Sequence, residues 1–294
     1  MFYRRKIILA LLQAFEGDLP KISLQKLLFL FTINQTKPDY DFVPYKFGCY
    51  SFSANADMTA MVKHKQLSEN KDSFTKIDAV DYVKILNEKD KKILIDLKKN
   101  YGELDANALI KFTYLNYHYY AINSTIAKDI LTNKQYNAIL LAKYASSETT
   151  LYTIGYEGIS LEEYLNRLIK NDVKVLVDVR NNALSMKFGF SKTQLKGFCA
   201  SLGIEYLHIP EVGIQSDQRQ ELKNQSDYDK LFDVYKNKNL KNTLNQQEQI
   251  LDLLKEKKRI ALTCFEANIC QCHRKHLAEA ITSLPAWNYE LKHI

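Results

Sequence analysis

The sequence predicts an α/β fold: a doubly wound, mostly parallel sheet domain over residues 151–294, preceded by a mainly helical domain over residues 1–146. Three observations predict it. The second half alternates short apolar runs with stretches of helical periodicity, the pattern of repeated βα units. Within it, Tyr152-Thr-Ile-Gly-Tyr-Glu-Gly158, Val175-Leu-Val-Asp-Val-Arg180 and Ile260-Ala-Leu-Thr-Cys-Phe-Glu266 each run apolar and then stop in polar or charged residues. A buried parallel strand has that form when its carboxyl end opens onto a site. Finally, Ala145-Ser-Ser-Glu-Thr-Thr150 is small and polar, as a linker between two domains is.

The elements follow in order. Arg5 to Phe15 has helical periodicity and stops at Gly17. Leu24 to Ile33 is a second apolar helix, with Ser23 as its expected cap. Pro38 and Pro44 break the chain before the aromatic turn Tyr45-Lys-Phe-Gly-Cys-Tyr-Ser51, and a helix is expected from Ala54 to Leu67. Thr75-Lys-Ile and Ala79-Val-Asp-Tyr-Val predict a hairpin or wing within 73–83. Helices are expected over 88–99, 105–115 and 122–142, with the aromatic cluster Tyr114, Tyr117, Tyr119 and Tyr120 among them.

In the second half, strand 151–154 leads to a helix from Ser160 to Asn171, where Ser160 and Glu163 have capping-box spacing. Strand 173–179 leads to helix 191–202, capped by Ser191. Strand 204–208 ends at Pro210, and a polar stretch over 214–247 holds helices bearing Tyr228 and Tyr235. Helix 247–257, strand 259–265, helix 272–283 and a last strand from Tyr289 to Ile294 complete the series.

Composition narrows the function classes. At 46% hydrophobic and 26% charged, the chain of 294 residues is of globular type and long enough for two domains. Its apolar stretches are too short to cross a bilayer, so no membrane partner is expected. The basic start, Met1 to Lys6, precedes only a short apolar run and is expected to open an amphipathic helix rather than a signal peptide. Basic residues exceed acidic ones by five over residues 1–150 and by two over 151–294, a balance compatible with nucleic acid and equally with a solvated basic surface. Five cysteines, three of them between Cys264 and Cys272, point to a reducing, cytoplasmic setting.

At Thr153 to Gly158, Val177 to Arg180, Gly189-Phe-Ser191, Gly203-Ile-Glu-Tyr-Leu-His-Ile-Pro-Glu-Val-Gly213 and Cys264 to Arg274, the second half resembles the family called domain of unknown function 488. The resemblance runs in order through 151–294. It implies a small α/β domain with a polar cleft lined by these motifs, and it supplies no reaction. Leu27-Leu-Phe-Leu and Tyr45 to Ser51 resemble the Lys-Leu-Leu and Tyr-Gly-Pro-Tyr-Ser pattern of helical, winged-helix-like domains of antitoxin-like and defence-associated proteins, with Phe47 and Cys49 departing from the usual turn.

If the three strands share a sheet, their carboxyl ends converge on one crevice. Tyr156, Glu157, Arg180, Glu211, Cys272, His273 and Arg274 are then the expected ligand contacts, and Glu266 and Asp178 the expected general bases. Each has a plainer alternative. Asp178 and Arg180 share one side of a strand, so they form either an anion clamp or an internal ion pair. Glu266 either enters a cleft as a base or orders its loop by pairing with Arg274 or Arg180. Gly155 and Gly158 either let backbone approach a ligand beside Glu157 or only shape a turn. Cys272-His273-Arg274 at a helix start suits a phosphate or a thiolate, yet no cysteine has the Cys-x5-Arg spacing of thiol catalysis before Arg274. His208 and Glu211 are expected at the rim, and Arg219, Tyr228 and Tyr235 as a lid or, more plainly, helix packing.

Cys264, Cys270, Cys272 and His273 are all residue types that tetrahedral zinc accepts. The spacing C-x5-C-x-C-H is not a standard knuckle, and Cys272 and His273 would diverge if both lay on a helix. No metal and no cofactor are therefore expected. The functional expectation is a nucleic-acid- or nucleotide-associated protein whose C-terminal cleft binds a phosphate-bearing ligand. The alternatives are a hydrolase or transferase on such a ligand, and a protein-interaction module.

Overall fold

The computed structural model describes residues 1–215, 218, 222 and 224–294. The chain divides into two compact units, Met1–Lys143 and Tyr144–Ile294. No described helix is long and apolar enough to cross a membrane.

The first unit runs α1 (Tyr3–Ala14), β1 (Asp18–Pro20), α2 (Lys21–Thr32), β2 (Val43–Tyr45), β3 (Gly48–Tyr50), α3 (Phe52–Lys63), β4 (Leu67–Glu69), β5 (Ser73–Lys76), α4 (Tyr82–Ile85), α5 (Glu88–Tyr101), α6 (Ala106–Asn116), α7 (His118–Ala121), α8 (Ala127–Ile130) and α9 (Asn133–Ala142). Helices dominate, as expected. Their core joins Ile7, Leu11, Leu24, Leu28, Phe31, Met58 and Leu94. Lys26, buried on α2, donates from Nζ to the carbonyls of Phe47 and Cys49 and so ties the β2–β3 hairpin to the helix.

Three local expectations are corrected. Ser23 lies inside the first turn of α2, whose N-cap is Pro20. The wing over 73–83 is displaced: β5 pairs antiparallel with β4 and β1, and Asp81 accepts from the Lys84 backbone N–H, starting α4 where a strand was expected. The single helix over 122–142 is divided. Thr132 and Gln135 form a reciprocal capping box that starts α9 afresh.

The second unit continues with β6 (Thr150–Gly155), α10 (Leu161–Lys170), β7 (Val175–Asp178), α11 (Lys192–Ser201), β8 (Glu205–His208), α12 (Gln225–Val234), α13 (Leu244–Lys257), β9 (Arg259–Cys264), α14 (His273–Thr282) and β10 (Glu290–His293). Among the described residues its strands form one parallel sheet in the order β10-β6-β9-β7-β8. The expected doubly wound α/β fold is present. The chain moves outward from β6 to β7 to β8 through α10 and α11. It then returns to β9 and β10 through α12, α13 and α14. With right-handed crossovers, outward and returning helices cover opposite faces.

Strand alternation fits this. Leu151, Val175, Val177, Ile260 and Leu262 pack with Ile250, Leu254, Leu277 and Ile281 of α13 and α14. The intervening Ile154, Leu176 and Ala261 are buried on the other face, where Tyr164 of α10 donates its hydroxyl to Thr263 at 2.7 Å. Ser160 caps α10 by accepting from the Glu163 N–H at 3.0 Å. The Glu163 carboxylate, however, accepts from Arg167 at 2.6 Å. Ser191 precedes α11 without a side-chain cap bond. Because β9 inserts between β6 and β7, neighbouring strands lead to helices on opposite faces. The crevice at such a switch point is where open α/β sheets bind ligands.

Candidate metal centre at the strand ends

Two clusters occupy the carboxyl ends of β7 and β9, and alternation separates them. Val177 and Val179 point toward α13 and α14, so Asp178 and Arg180 point toward α10 and α11. Ile260 and Leu262 share the α13–α14 face, so Cys264 lies on that side too. The structure therefore sorts the residues expected in one crevice into two groups.

The first group is a closed ion pair. Arg180 donates to both Asp178 oxygens, from Nε at 2.8 Å and from Nη2 at 2.5 Å. Its Nη1 donates to the Tyr156 hydroxyl at 2.7 Å and to the Phe190 carbonyl at 3.0 Å. Tyr206 donates to Asp178 Oδ2 at 2.6 Å. The Arg180 and Asp178 side chains are only 5% and 0% exposed. Burial works against the Arg180 charge, but the hydrogen bonds and charge of Asp178, with Tyr156, outweigh it and raise its pKa. Tyr156 stacks on Phe190 with ring centroids 4.2 Å apart. Asp178, Arg180 and Tyr156 thus form an internally satisfied network, the plainer of the two readings the sequence allowed.

The second group gathers ligand-type side chains. One ligand atom each from Cys264, Glu266, Cys272 and His273 falls within 4.8 Å of all the others. Cys264 Sγ lies 3.1 Å from Glu266 Oε2 and 3.6 Å from His273 Nδ1. Tetrahedral zinc with ordinary Zn–S, Zn–N and Zn–O bonds sets its ligand atoms roughly 3.3–3.8 Å apart, so modest movement would enclose an ion. His273 Nε2 is 3.0 Å from the Val179 carbonyl. A carbonyl only accepts, so that nitrogen carries the proton, and Nδ1 presents its lone pair to the cluster in the neutral ring.

Arg274 is buried beside the cluster, where its guanidinium would offset the one negative charge by which two thiolates and a carboxylate would exceed a dication. Its Nη1 donates to the Glu266 carbonyl at 2.5 Å, while its Nε is buried with no hydrogen-bond partner among the described residues. Burial pushes the Cys272 thiol well up, Cys264 and Glu266 add to this, and Arg274 pulls it down.

One of the grounds for expecting no metal, that Cys272 and His273 diverge on a helix, does not apply to the observed backbone. Cys272 is not on the helix. It is the N-cap of α14, with extended backbone at φ −127° and ψ 131°, and His273 is the first helical residue. The turn between extended and helical backbone lets adjacent side chains converge. Cys270, which the cysteine spacing groups with the others, is exposed in the preceding turn and lies outside the cluster. Glu266 lies within the cluster instead.

The other expected contacts lie around these groups. Glu157 is exposed and accepts the Ala267 N–H at 3.0 Å. Gly155 packs against the same loop: a Cβ there would sit 2.0 Å from the Glu266 carbonyl oxygen. His208 Nε2 donates to the Arg180 carbonyl at 2.8 Å. Glu211 is exposed in a short 3-10 turn after β8. Tyr235 is buried and donates to the Val212 carbonyl at 2.6 Å, and Tyr228 packs against the core, so both follow the helix-packing reading. Arg219 lies outside the described residues. Lys187, missed in the sequence, donates from Nζ to the Tyr156 carbonyl at 2.6 Å; nothing in its local pattern signals that.

No curated protein and no solved structure matches the chain. The family model described as domain of unknown function DUF488 matches residues 160–281. That stretch begins at the cap of α10 and ends within α14, and it contains both clusters except Tyr156. The second unit accordingly resembles the family described as domain of unknown function DUF488.

Proposed function

We propose that the protein is a zinc-dependent, nucleic-acid-associated protein whose second unit holds the ion through Cys264, Glu266, Cys272 and His273. The observation that carries the zinc reading is the convergence of these four side chains at the end of β9 and the start of α14. Two sulfurs, one imidazole and one carboxylate form a donor set suited to zinc and poorly suited to magnesium or calcium. All five cysteines are free thiols, which supports a reducing, cytoplasmic setting. The test is metal content after purification without chelator. One zinc per chain is expected, falling to a small fraction in Cys264→Ser and Cys272→Ser and unchanged in Cys270→Ser. Equal zinc in all four proteins would sink the reading.

The nucleic-acid association is supported by charge rather than by the metal cluster. The chain carries a net charge of +7, most of it over residues 1–150. Contacts of this kind release counterions, so affinity falls steeply with salt. Labelled duplex DNA, single-stranded DNA and RNA are expected to bind at 50 mM salt and to weaken by at least about 10-fold at 200 mM, on the order expected for a few phosphate contacts. Absence of binding at the lower salt would reject this association and leave the zinc reading standing.

A further inference from the structure

Building on that zinc reading, we propose that Glu266 is an exchangeable ligand, so that water or a small anion enters the fourth position of a Cys264–Cys272–His273 centre. Four protein ligands would ordinarily make a closed, structural site. Three ligands with an open position are the arrangement of catalytic zinc, where bound water becomes a nucleophile.

The four ligands are not equivalent. Cys264, Cys272 and His273 are 1%, 0% and 1% exposed, whereas Glu266 is only partly buried. Cys264 is the last residue of β9 and His273 the first of α14, with Cys272 fixed between them as the N-cap of that helix. The Val179 carbonyl also fixes the His273 ring. Glu266 lies two residues past the end of β9, in a loop between exposed Phe265 and Ala267.

The Glu266 backbone is nonetheless pinned. Arg274 holds its carbonyl at 2.5 Å, Gly155 packs on the same oxygen, and the next N–H donates to Glu157. Motion at this ligand is therefore confined to side-chain rotation toward solvent, which leaves the strand and helix undisturbed. The ligand chemistry agrees: a hard carboxylate is the natural leaving ligand beside two soft thiolates. The inference makes the solvent-facing carboxylate a gate on the metal.

The experiment uses the full chain loaded with cobalt(II) in place of zinc, followed by visible absorption during titration with azide. Wild-type protein is expected to show a saturable change in its cobalt bands. Glu266→Ala and Glu266→Gln are expected to keep the metal and to bind azide on the order of 10-fold tighter, because the competing carboxylate is gone. Glu266→Cys supplies a fixed fourth thiolate and is expected to keep cobalt while losing the azide response. Cobalt bands that ignore azide in the wild type and in Glu266→Ala overturn the exchange. So does loss of the metal in both Glu266→Ala and Glu266→Gln, which would make Glu266 an integral ligand. Wild-type protein that takes up neither zinc nor cobalt overturns the zinc reading itself and this inference with it.

Discussion

Zinc in 100-fold excess over its dissociation constant is expected to stabilise the second unit by about 2.7 kcal/mol, and a chelator to remove that gain. The reason is the placement of the ligands. Cys264 ends β9, while Cys272 and His273 start α14, so an ion would clamp the carboxyl end of a central strand to the helix that covers it. Without the ion these positions hold buried thiols and an imidazole, and binding must release the thiol protons. For a unit of this size the gain corresponds to a rise in Tm of about 2–4 °C per kcal/mol. Thermal unfolding with added zinc and with chelator measures it, and Cys272→Ser is expected to lose the difference. A wild-type transition indifferent to both reagents, with zinc shown to be bound, would contradict a clamp between β9 and α14.

Arg180→Ala is expected to cost about 3–5 kcal/mol, the usual penalty for leaving a buried charge without its partner. Asp178 is fully buried and would keep only the Tyr206 hydroxyl and the Arg180 backbone N–H among its partners seen here. Removing both charges, as in Asp178→Leu with Arg180→Met, is expected to cost clearly less than the single change, because no orphaned carboxylate remains. Denaturant unfolding at constant slope gives both values. If Arg180→Ala instead unfolds like the wild type but loses affinity for a phosphate-bearing ligand, Arg180 is an anion clamp after all.

Much of the second unit was legible because parallel strands are buried on both faces and leave near-continuous apolar runs. Val175 to Asp178 and Arg259 to Cys264 announce themselves in that way. The same-side placement of Asp178 and Arg180 follows from the period of two along a strand. In the first unit, propensity misled where a local hydrogen bond competed with it. Ala79 to Val83 has strand-like residues, but the Asp81 carboxylate captures a backbone N–H and begins a helical turn.

The candidate centre was legible in its residue types and illegible in its assembly. Cys264, Glu266, Cys272 and His273 stand within ten positions of one another, yet linear spacing favoured the exposed Cys270 and overlooked Glu266. The sequence by itself determined the alternation of strands and helices, the polar strand ends and which residues share a strand face, because each of these is set by local periodicity. The tertiary structure alone decided that β9 lies between β6 and β7, that the ion pair and the ligand cluster occupy opposite faces, and that Cys272 caps rather than joins α14. Those outcomes depend on crossover direction and on one residue's backbone conformation, and neither is written in the spacing of side chains along the chain.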